Sequence, residues 1–402
     1  MTGPAGSGKT YLLNQFVRHL RSKKIGVAVT ASTGIAATHL RGRTIHSWSG
    51  IGIKKKFTKA DWGRIKRAHL LKKRIFKADV LIIDEVSMLH NYQLDLVDQI
   101  CRFIREEEAP FGGIQVVMCG DFFQLPPVSD DNEKSKNVLY SEVWPKMNLQ
   151  VCYLDKVIRQ DDERLTRILN RIREKRTDGL VDFFNRFTEE EKKLPANLVR
   201  LYTHNIDVDA INFCELKKIR EEARTFLMEK KGADQLVGIL KGMCQAPEKL
   251  VLKKGAIVMF VKNNQDLGYA NGTIGQVVNF HENSGRPIVV TTERKRIVVD
   301  KESWPLEDED GKTLASIDQI PLKLAWAITV HKSQGTTLSA VEMDLSRCFA
   351  YGMGYVALSR ARSLESIRLL GINSKALEVD PKIFEIDKIL LELSAAIEKK
   401  NR

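Results

Sequence analysis

"MTGPAGSGKTYLLNQF", residues 1–16, opens the chain and contains its most informative motif. Gly3, Gly8, Lys9 and Thr10 match the pattern G-x-x-x-x-G-K-[ST]. In such a loop the backbone N–H groups close around phosphates, the lysine reaches the β- and γ-phosphates, and the hydroxyl ligates Mg²⁺. We therefore expect a nucleotide to be bound by Gly3, Pro4, Ala5, Gly6, Ser7, Gly8, Lys9 and Thr10.

A phosphate loop of this kind lies between a strand and a helix, and only the helix is evident here. Residues 11–24 have the period of a helix, with one apolar face formed by Leu12, Leu13, Phe16, Val17 and Leu20. No strand precedes Gly3, so we expect that the native chain begins further upstream. Without that strand, one neighbouring strand of the sheet is expected to be unpaired on that side.

An acidic pair supplies the second element of the site. Residues 80–83 form a β-branched, apolar run that ends at Asp84 and Glu85. We expect Asp84 to hold Mg²⁺ through water, and Glu85 to orient or deprotonate the attacking water. The alternative is an ordinary strand end with two exposed acids, which the upstream phosphate loop makes the weaker interpretation.

Two more strand ends carry small or polar residues. Residues 27–30 predict a strand that runs into small polar residues and Gly34, where a backbone can approach a ligand closely. Residues 114–119 predict a buried strand that ends at Gly120 and Asp121, with Gln124 on the following loop. A neutral amide in this place can sense the γ-phosphate, although Gln124 alone would be read as a surface residue.

The composition limits the class of protein. The chain has 402 residues, more than one hydrophobic core usually holds, so we expect two main domains. It lacks a run of 18 apolar residues, which argues against a membrane span. The six cysteines lie far apart, which is typical of reduced thiols in a cytosolic protein and makes a zinc site unlikely on spacing grounds. The net charge of +13 favours a polyanionic partner.

Much of that charge lies in one segment. Asp61 is the only acid between residues 54 and 77, and Phe57 and Trp62 are interleaved with the basic residues. Such a segment could track DNA phosphates and stack on bases, or it could be a solvated protein surface. Its eleven basic residues are Lys54, Lys55, Lys56, Lys59, Arg64, Lys66, Arg67, Lys72, Lys73, Arg74 and Lys77.

Several motifs together resemble a known family. The segments are "TGPAGSGKT", "TASTGIAA", "GRTIHSWSGIG", "IIDEVSML", "FGGIQVVMCGDFFQLPPV", "VIRQ", "PLKLAWAITVHKSQGTTL" and "YVALSRARSLESI". In this order they resemble the petite integration frequency (PIF) helicase family of superfamily one, over residues 1 to about 370. The resemblance implies an α/β fold: two RecA-like P-loop NTPase domains, with a small wedge insertion and an SH3-like β-barrel insertion.

The implied domain borders follow the motifs. The first RecA-like domain is expected at residues 1–150, with the wedge at about 50–76. The second is expected at 151–212 and 316–375. The barrel insertion at 213–315 contains short β-branched runs between turn residues, and its charged lead-in, residues 214–236, is expected to be helical. A C-terminal helix is expected at 376–402.

The resemblance also assigns roles to single residues. Arg159 and Arg360 are expected to contact the γ-phosphate and, with Lys9, Glu85 and Gln124, to form the catalytic set. Gln334 and Gly335 are expected to lie towards the ATP cleft. The expected DNA contacts are Thr33, His46, Trp48, His331 and Ser333. For His46 and Trp48, packing within the protein is the competing interpretation. Arg362 is expected to be structural.

The sequence therefore predicts an ATP-dependent DNA helicase that uses Mg²⁺ and ATP, translocates on single-stranded DNA, and unwinds duplex. The 5′-to-3′ direction is implied by the resemblance alone. Its expected partners are single-stranded DNA and forked duplex; guanine quadruplexes and RNA–DNA hybrids follow from the family alone, as do roles in repair, recombination and telomere maintenance. A monomer is expected, cytoplasmic and nucleoid-associated if bacterial, with nuclear or mitochondrial residence left open. A RecD-like repair helicase, an ATP-dependent DNA-binding switch without unwinding, and more distantly a metabolic kinase are the alternatives.

Overall fold

A computed structural model describes most of the chain. The described residues are 1–40, 42–52, 54–127, 137–188, 199–262, 264, 266–269, 271–292, 294–307, 313–334, 338 and 340–401. The chain divides into two compact units, of which the first comprises Met1–Lys193 and Gln334–Arg402 and the second Leu194–Ser333. Among the described residues, no helix combines the length and the apolar character that crossing a membrane requires.

A parallel β-sheet organises the first unit. Its strands are β1 (Val27–Ala31), β2 (Arg43–Thr44), β3 (Val80–Asp84) and β4 (Gln115–Met118), in the order β2-β1-β3-β4. All five residues of β3 are buried, as expected for a central strand covered on both faces. The strands predicted at 27–30, 80–83 and 114–119 are thus confirmed, but β4 is not buried throughout as predicted, because it lies at the edge of the sheet, where Gln115 is exposed and Val116 and Val117 are half-buried.

Helices precede, connect and follow these strands along the chain. They are α1 (Lys9–Ser22), α2 (Gly34–His39), α3 (Ile45–Ser49), α4 (Lys59–Arg67), α5 (His69–Phe76), α6 (Asn91–Arg105), α7 (Glu163–Arg173) and α8 (Leu180–Thr188). Helix α1 begins at Lys9, two residues before the predicted helix, and buries Leu13, Val17 and Leu20. Leu12 was predicted on the same face but is 42% exposed.

The first residues of the chain lie beside β4. The amino group of Met1 donates to the carbonyl of Met118 at 2.8 Å, and the amide of Gly120 donates to the carbonyl of Met1 at 3.3 Å. Thr2 is hydrogen-bonded to the segment 152–154 on its other side. The first residues of the chain therefore pair with only one end of β4. A largely apolar cavity of about 790 Å³ lies beside this strand.

The predicted wedge region contains α4 and α5. Thr58 and Asp61 form a reciprocal capping box at the start of α4. Ile65, Leu71 and Ile75 are buried in the same core as Trp48, so the apolar sides of both helices face the protein. The aromatic residues of this region also pack inward. The ring centroids of Phe57 and Trp62 are 5.3 Å apart, and those of Trp62 and Phe103 of α6 are 5.1 Å apart.

The second unit is rich in antiparallel strands. One sheet has the order β12-β11-β10-β9-β15, another β13-β14-β7, while β6 pairs with β8 and β16 pairs in parallel with β5. The elements are β5 (Val199–Tyr202), α9 (Asn205–Lys218), β6 (Arg224–Leu227), β7 (Glu229–Gly232), α10 (Asp234–Met243), β8 (Lys249–Leu252), β9 (Ile257–Phe260), β10 (Ile274–Phe280), β11 (Pro287–Thr291), β12 (Arg296–Val298), β13 (Glu302–Glu307), β14 (Thr313–Gln319), β15 (Leu322–Leu324) and β16 (Ala327–Thr329).

These strands correct one prediction and leave another open. The lead-in at 214–236 was expected to be helical, but β6 and β7 interrupt it, because their residues pair with β8 and β14. The five-stranded sheet confirms antiparallel pairing within the predicted insertion. Its SH3-like barrel topology stays a prediction.

The chain then completes the first unit with β17 (Val341–Leu345), α11 (Met353–Leu358), β18 (Ile367–Ile372) and α12 (Pro381–Asn401). Strands β17 and β18 pair in parallel. Helix α12 confirms the predicted C-terminal helix. The two compact units do not follow the predicted borders of the RecA-like domains, because residues 151–193 group with the N-terminal part, and those borders stay a prediction.

Candidate nucleotide-binding site

The loop before α1 has the backbone conformation that its glycines predict. Gly3, Gly6 and Gly8 all have positive φ angles, of 140°, 83° and 83°. A Cβ atom on Gly3 would lie 2.2 Å from the carbonyl oxygen of Leu154. Only glycine therefore fits this close approach, and the loop it permits leads directly into the N-terminus of α1.

Lys9 is the first residue of α1 and folds back over the loop. Its ammonium group donates to the carbonyl oxygens of Gly3 and Pro4, at 2.8 Å each. The positive end of the α1 dipole points at the same place. The loop therefore concentrates positive charge and backbone donors where the phosphates of a nucleotide would bind.

Asp84 stands opposite the start of α1, because β3 ends there. The Oγ1 atom of Thr10 and the Oδ2 atom of Asp84 are 3.5 Å apart. Oxygen ligands of this kind suit Mg²⁺, which completes its coordination with waters and substrate phosphates. The described residues contain no group of three or more His, Cys, Asp or Glu side chains that could hold a metal ion. The pair thus fits a metal that arrives with a nucleotide.

Glu85 follows Asp84 in a left-handed conformation, with a φ of 51°. Its amide donates to Asp84 Oδ1 at 2.9 Å, and its carbonyl accepts from the Ser32 hydroxyl at 2.8 Å. Burial, followed by the charge of Asp84, raises the pKa of Glu85 to about 7, against the opposing effect of Lys9. A carboxylate with such a pKa can take up a proton near neutral pH.

Two amides join Glu85 in the site. Gln334 Nε2 donates to Glu85 Oε2 at 3.1 Å and to Gln124 Oε1 at 3.2 Å. Gln124 in turn donates to Asp121 Oδ2 at 3.2 Å. The Oε1 atom of Gln334 is buried and has no hydrogen-bond partner among the described residues, so it is available to accept a hydrogen bond from a bound water.

Two arginines, Arg159 and Arg360, complete the set of charged side chains at the site. Arg159 Nη1 donates to the Ser359 carbonyl at 3.2 Å, and Arg360 Nη2 donates to the Ser359 hydroxyl at 3.0 Å. Burial, followed by the charge of Arg159, lowers the pKa of Arg360 to about 9. Burial also lowers the pKa of Arg159, while Glu85 acts in the opposite direction. Two guanidinium groups held this close favour an anion between them.

These groups surround one cavity of about 390 Å³. Its lining residues are Gly6, Gly8, Lys9, Thr10, Tyr11, Glu85, Gln124, Ile158, Arg159, Asp161, Arg360 and Arg362. The predicted catalytic set is therefore brought together. The larger cavity beside β4 is mostly apolar and lies away from these charges, so it is the weaker candidate for a nucleotide.

Some lining residues were missed or read differently in the sequence. Tyr11 follows the phosphate loop directly and is 68% exposed, a position that its place in the first turn of α1 could have signalled. Ile158 and Asp161 flank Arg159 and could have been inferred from it. Arg362 was expected to be structural but lines the cavity. The predicted contact Gly335 lies outside the described residues.

The predicted DNA contacts in the first unit have varied environments. Thr33 Oγ1 accepts from the Ala36 amide at 3.2 Å, at the start of α2. The His46 ring is half-buried, 2.9 Å from Gln93 Nε2, and burial followed by the charge of His90 lowers its pKa. Trp48 is only 3% exposed and belongs to the core, which favours the packing interpretation for that residue.

The other two predicted contacts belong to the second unit. Ser333 is buried, and its hydroxyl donates to the Val330 carbonyl at 2.8 Å. Burial, followed by the charge of Lys332, lowers the pKa of His331. DNA contacts by Ser333 and His331, like those by Thr33 and His46, stay predictions.

Comparison with known proteins now adds to this geometry. Residues 1–185 match the family model of PIF1-like helicases, and residues 236–280 match that of the DNA helicase Pif1 2B domain. An ATP-dependent DNA helicase Pif1 from a Psychrobacter species is 41% identical over 98% of this chain and 69% of that protein. The chain belongs to the Pif1-like helicase family. Membership decides against the RecD-like alternative.

Two solved structures extend the likeness to the fold. The crystal structure of Pif1 helicase from Candida albicans aligns with a TM-score of 0.88 and 35% identity, covering 97% of this chain and 94% of that one. Pif1 helicase from Bacteroides, in complex with ADP-AlF3 and single-stranded DNA, aligns with a TM-score of 0.77 and 29% identity, covering 97% and 92%. The Pif1-like fold thus spans nearly the whole described chain.

Proposed function

We propose that this protein is an ATP-dependent DNA helicase that translocates on single-stranded DNA and unwinds duplex. The observation that carries the proposal is the 390 Å³ cavity, where residues of the phosphate loop meet Glu85, Gln124 and the arginines Arg159 and Arg360. A simple nucleotide-binding fold would not need two arginines and a bridging amide beside the γ-phosphate position. The Bacteroides relative bound to ADP-AlF3 and single-stranded DNA supports the same activity here.

The phosphates of ATP would enter the loop from the cavity side. Lys9, which is held on the Gly3 and Pro4 carbonyls, would exchange these partners for the β- and γ-phosphates. Thr10 and Asp84 would hold Mg²⁺, which neutralises charge that develops on the phosphates during transfer. Binding thus replaces internal hydrogen bonds of the loop with charge-assisted bonds to the substrate.

Hydrolysis would depend on Glu85 and the two arginines. Glu85 accepts the proton of the attacking water, and the free Oε1 of Gln334 helps to orient that water. Arg159 and Arg360 stabilise the negative charge of the transferring phosphoryl group. Gln334 is hydrogen-bonded to both Glu85 and Gln124. Loss of the γ-phosphate would therefore be transmitted through Gln334 to Gln124, which lies on the loop that follows β4.

Within the first unit, DNA is proposed to bind through Thr33, His46 and the exposed cations of α4 and α5. Within the second unit, the proposed contacts are His331 and Ser333. Phosphate contacts of this kind do not depend on sequence and weaken with salt. Forked duplex fits the exposed basic surface, and 5′-to-3′ movement, quadruplex or hybrid substrates, and roles in repair, recombination or telomere maintenance are proposed from family membership alone.

The test measures ATP hydrolysis and strand separation in parallel. ATP turnover is followed with and without single-stranded DNA, and unwinding with a fluorescently labelled fork that carries a 5′ tail, a 3′ tail or both. We expect strong stimulation by DNA and displacement only when a 5′ tail is present. The Glu85→Gln variant serves as the matched control that binds ATP without turnover. Stimulated hydrolysis without displacement on any fork would instead support the DNA-binding switch.

A further inference from the structure

A tyrosine hydroxyl lies directly beneath the phosphate loop. Tyr355 of α11 is only 1% exposed, and its hydroxyl accepts a hydrogen bond from the Ala5 amide at 2.8 Å. The same hydroxyl donates to Asp121 Oδ2 at 3.1 Å. One atom therefore connects a backbone group in the middle of the phosphate loop with the acid that follows β4.

A buried arginine anchors this tyrosine. Arg173 at the end of α7 donates through Nη1 to Asp121 Oδ1 at 2.8 Å and to the Tyr355 hydroxyl at 3.2 Å. Its other nitrogen, Nη2, donates to the Tyr153 hydroxyl at 2.8 Å and to Asp387 of α12 at 3.4 Å. The side chains of Arg173 and Asp121 are 8% and 1% exposed, so solvent screens their attraction little.

The electrostatics keep the cluster charged. Burial alone would raise the pKa of Asp121, but the charges of Arg173 and Lys9 hold it below its usual range. Burial likewise opposes the charge of Arg173, but Asp121 and the two tyrosines leave its pKa raised. Asp121 also accepts the hydrogen bond of Gln124, so the cluster supports a second residue of the nucleotide cavity.

Removing the Tyr355 hydroxyl would have a defined local consequence. The Ala5 amide is buried and would lose its acceptor, and one oxygen of Asp121 would lose a donor. A buried donor without a partner is costly, so the loop would shift to satisfy it. Because Ala5 lies between Gly3 and Gly8, such a shift would change the spacing of the N–H groups that meet the phosphates.

We propose that Tyr355 is a positioning residue of the phosphate loop: its hydroxyl, held by the Asp121–Arg173 pair, fixes the Ala5 amide and thereby sets the loop for nucleotide binding. This inference rests on the proposed nucleotide site and names a residue that does not itself line the cavity. The competing interpretation is that Tyr355 only stabilises the fold.

Tyr153 provides the matched control. Its hydroxyl belongs to the same cluster, where it accepts from Arg173 and donates to Asp387, but it makes no hydrogen bond to the phosphate loop in the described structure. Tyr153→Phe and Tyr355→Phe each delete one buried hydroxyl next to Arg173. Only Tyr355→Phe deletes the acceptor of the Ala5 amide.

The experiment compares the two variants with the unmodified chain. Binding of ADP that carries a fluorescent ribose label gives Kd, steady-state hydrolysis with saturating single-stranded DNA gives KM and kcat, and thermal unfolding without nucleotide gives Tm. We expect Tyr355→Phe to raise Kd and KM about fivefold to tenfold, as loss of one hydrogen bond in a buried site implies, with kcat within about twofold. Tyr153→Phe should leave Kd, KM and kcat within about twofold of the unmodified chain, and it should lower Tm about as much as Tyr355→Phe does.

Equal kinetics in the two variants, or an unchanged Kd in folded Tyr355→Phe, would overturn the proposal. If Tyr355→Phe does not fold, Asp121→Asn replaces it, because the neutral amide no longer holds the Tyr355 hydroxyl and Arg173 by charge; we expect Kd to rise about threefold or more, and an unchanged Kd again overturns the proposal. ADP binding separates this outcome from failure of the proposed function, which would appear as absent DNA-stimulated hydrolysis in the unmodified chain.

Discussion

The nucleotide cavity and the α4–α5 helix pair use charge in opposite ways. In the cavity, charged and polar side chains are buried and bonded to one another, as Gln334 is to Glu85 and Gln124. In the helix pair, the apolar side is buried and cations such as Lys66 and Lys73 are exposed. We therefore expect the proposed nucleotide chemistry to depend on the geometry of single atoms, and the proposed DNA binding of the helix pair to depend on the number of charges.

Replacing the phosphate-loop lysine should have the largest effect. Lys9→Ala removes the only side-chain cation that the phosphate loop itself contributes to the cavity, so we expect ATP turnover to fall at least about a thousandfold, since electrostatic stabilisation of the transferring group supplies most of the catalysis. Phosphate release with saturating single-stranded DNA measures the rate. Turnover near that of the unmodified chain would remove Lys9 from the phosphate site.

The next largest effect is expected from removing Arg360, the buried arginine in the turn that follows α11. Arg360→Ala is expected to lower kcat about a thousandfold, as for other arginines that stabilise phosphoryl transfer, with little change in affinity for single-stranded DNA. Hydrolysis and fluorescence anisotropy of labelled DNA measure the two properties. Arg347→Ala, which removes an exposed arginine that does not line the cavity, is the control. The reverse pattern, with weak DNA binding and normal hydrolysis, would assign Arg360 to the DNA path. Because Arg360 is only 1% exposed, Tm must be measured to show that the variant is folded.

The proposed general base, Glu85, leads to a prediction of intermediate size, namely that kcat/KM depends on pH. Glu85 must be deprotonated to accept a proton, and its pKa is raised to about 7. The deprotonated fraction therefore grows as the pH rises through about 7, and kcat/KM should fall about tenfold for each unit below it. Glu85→Gln should keep ATP binding, lower hydrolysis about a hundredfold or more, and lose this limb of the profile. Persistence of the limb in that variant would assign it to another group.

The same contrast explains which residues of the site could be predicted from the sequence and which could not. Lys9, Asp84, Glu85 and Gln124 could be predicted because parallel strands of one sheet present their carboxyl ends at a common edge. Tyr355 could not, because its partners Ala5 and Asp121 are more than 200 residues away in the chain, and no local pattern records such a contact.

Residues outside strand ends were predicted less well. Trp48 was expected at the DNA, but the amphipathic pairing of α3 with α5 buries it. The segment that contains β6 and β7 is charged throughout and was expected to be helical. It forms strands because partners from distant parts of the second unit pair with it, which overrides a weak local preference.

The smallest effect is expected on the α4–α5 pair, and it should depend on salt. Lys59, Lys66 and Lys73 are exposed, and replacing all three by Gln leaves the buried faces of the helices intact. If each lysine neutralises one phosphate, the slope of log K against log salt concentration should decrease by about two for single-stranded DNA. Affinity would then fall most at low salt, while ATP hydrolysis at saturating DNA stays within about twofold.

The control for this variant removes the same charge elsewhere. Lys382, Lys399 and Lys400 of α12 are also exposed, so their replacement by Gln gives the same net charge and should leave the salt slope unchanged. Equal slopes in the two triple variants would mean that the protein attracts DNA only through its overall charge. A decrease confined to the α4–α5 variant would locate phosphate contacts on that surface, because salt at about 0.1 M screens charges beyond about 10 Å and leaves only the lysines close to the phosphates to act.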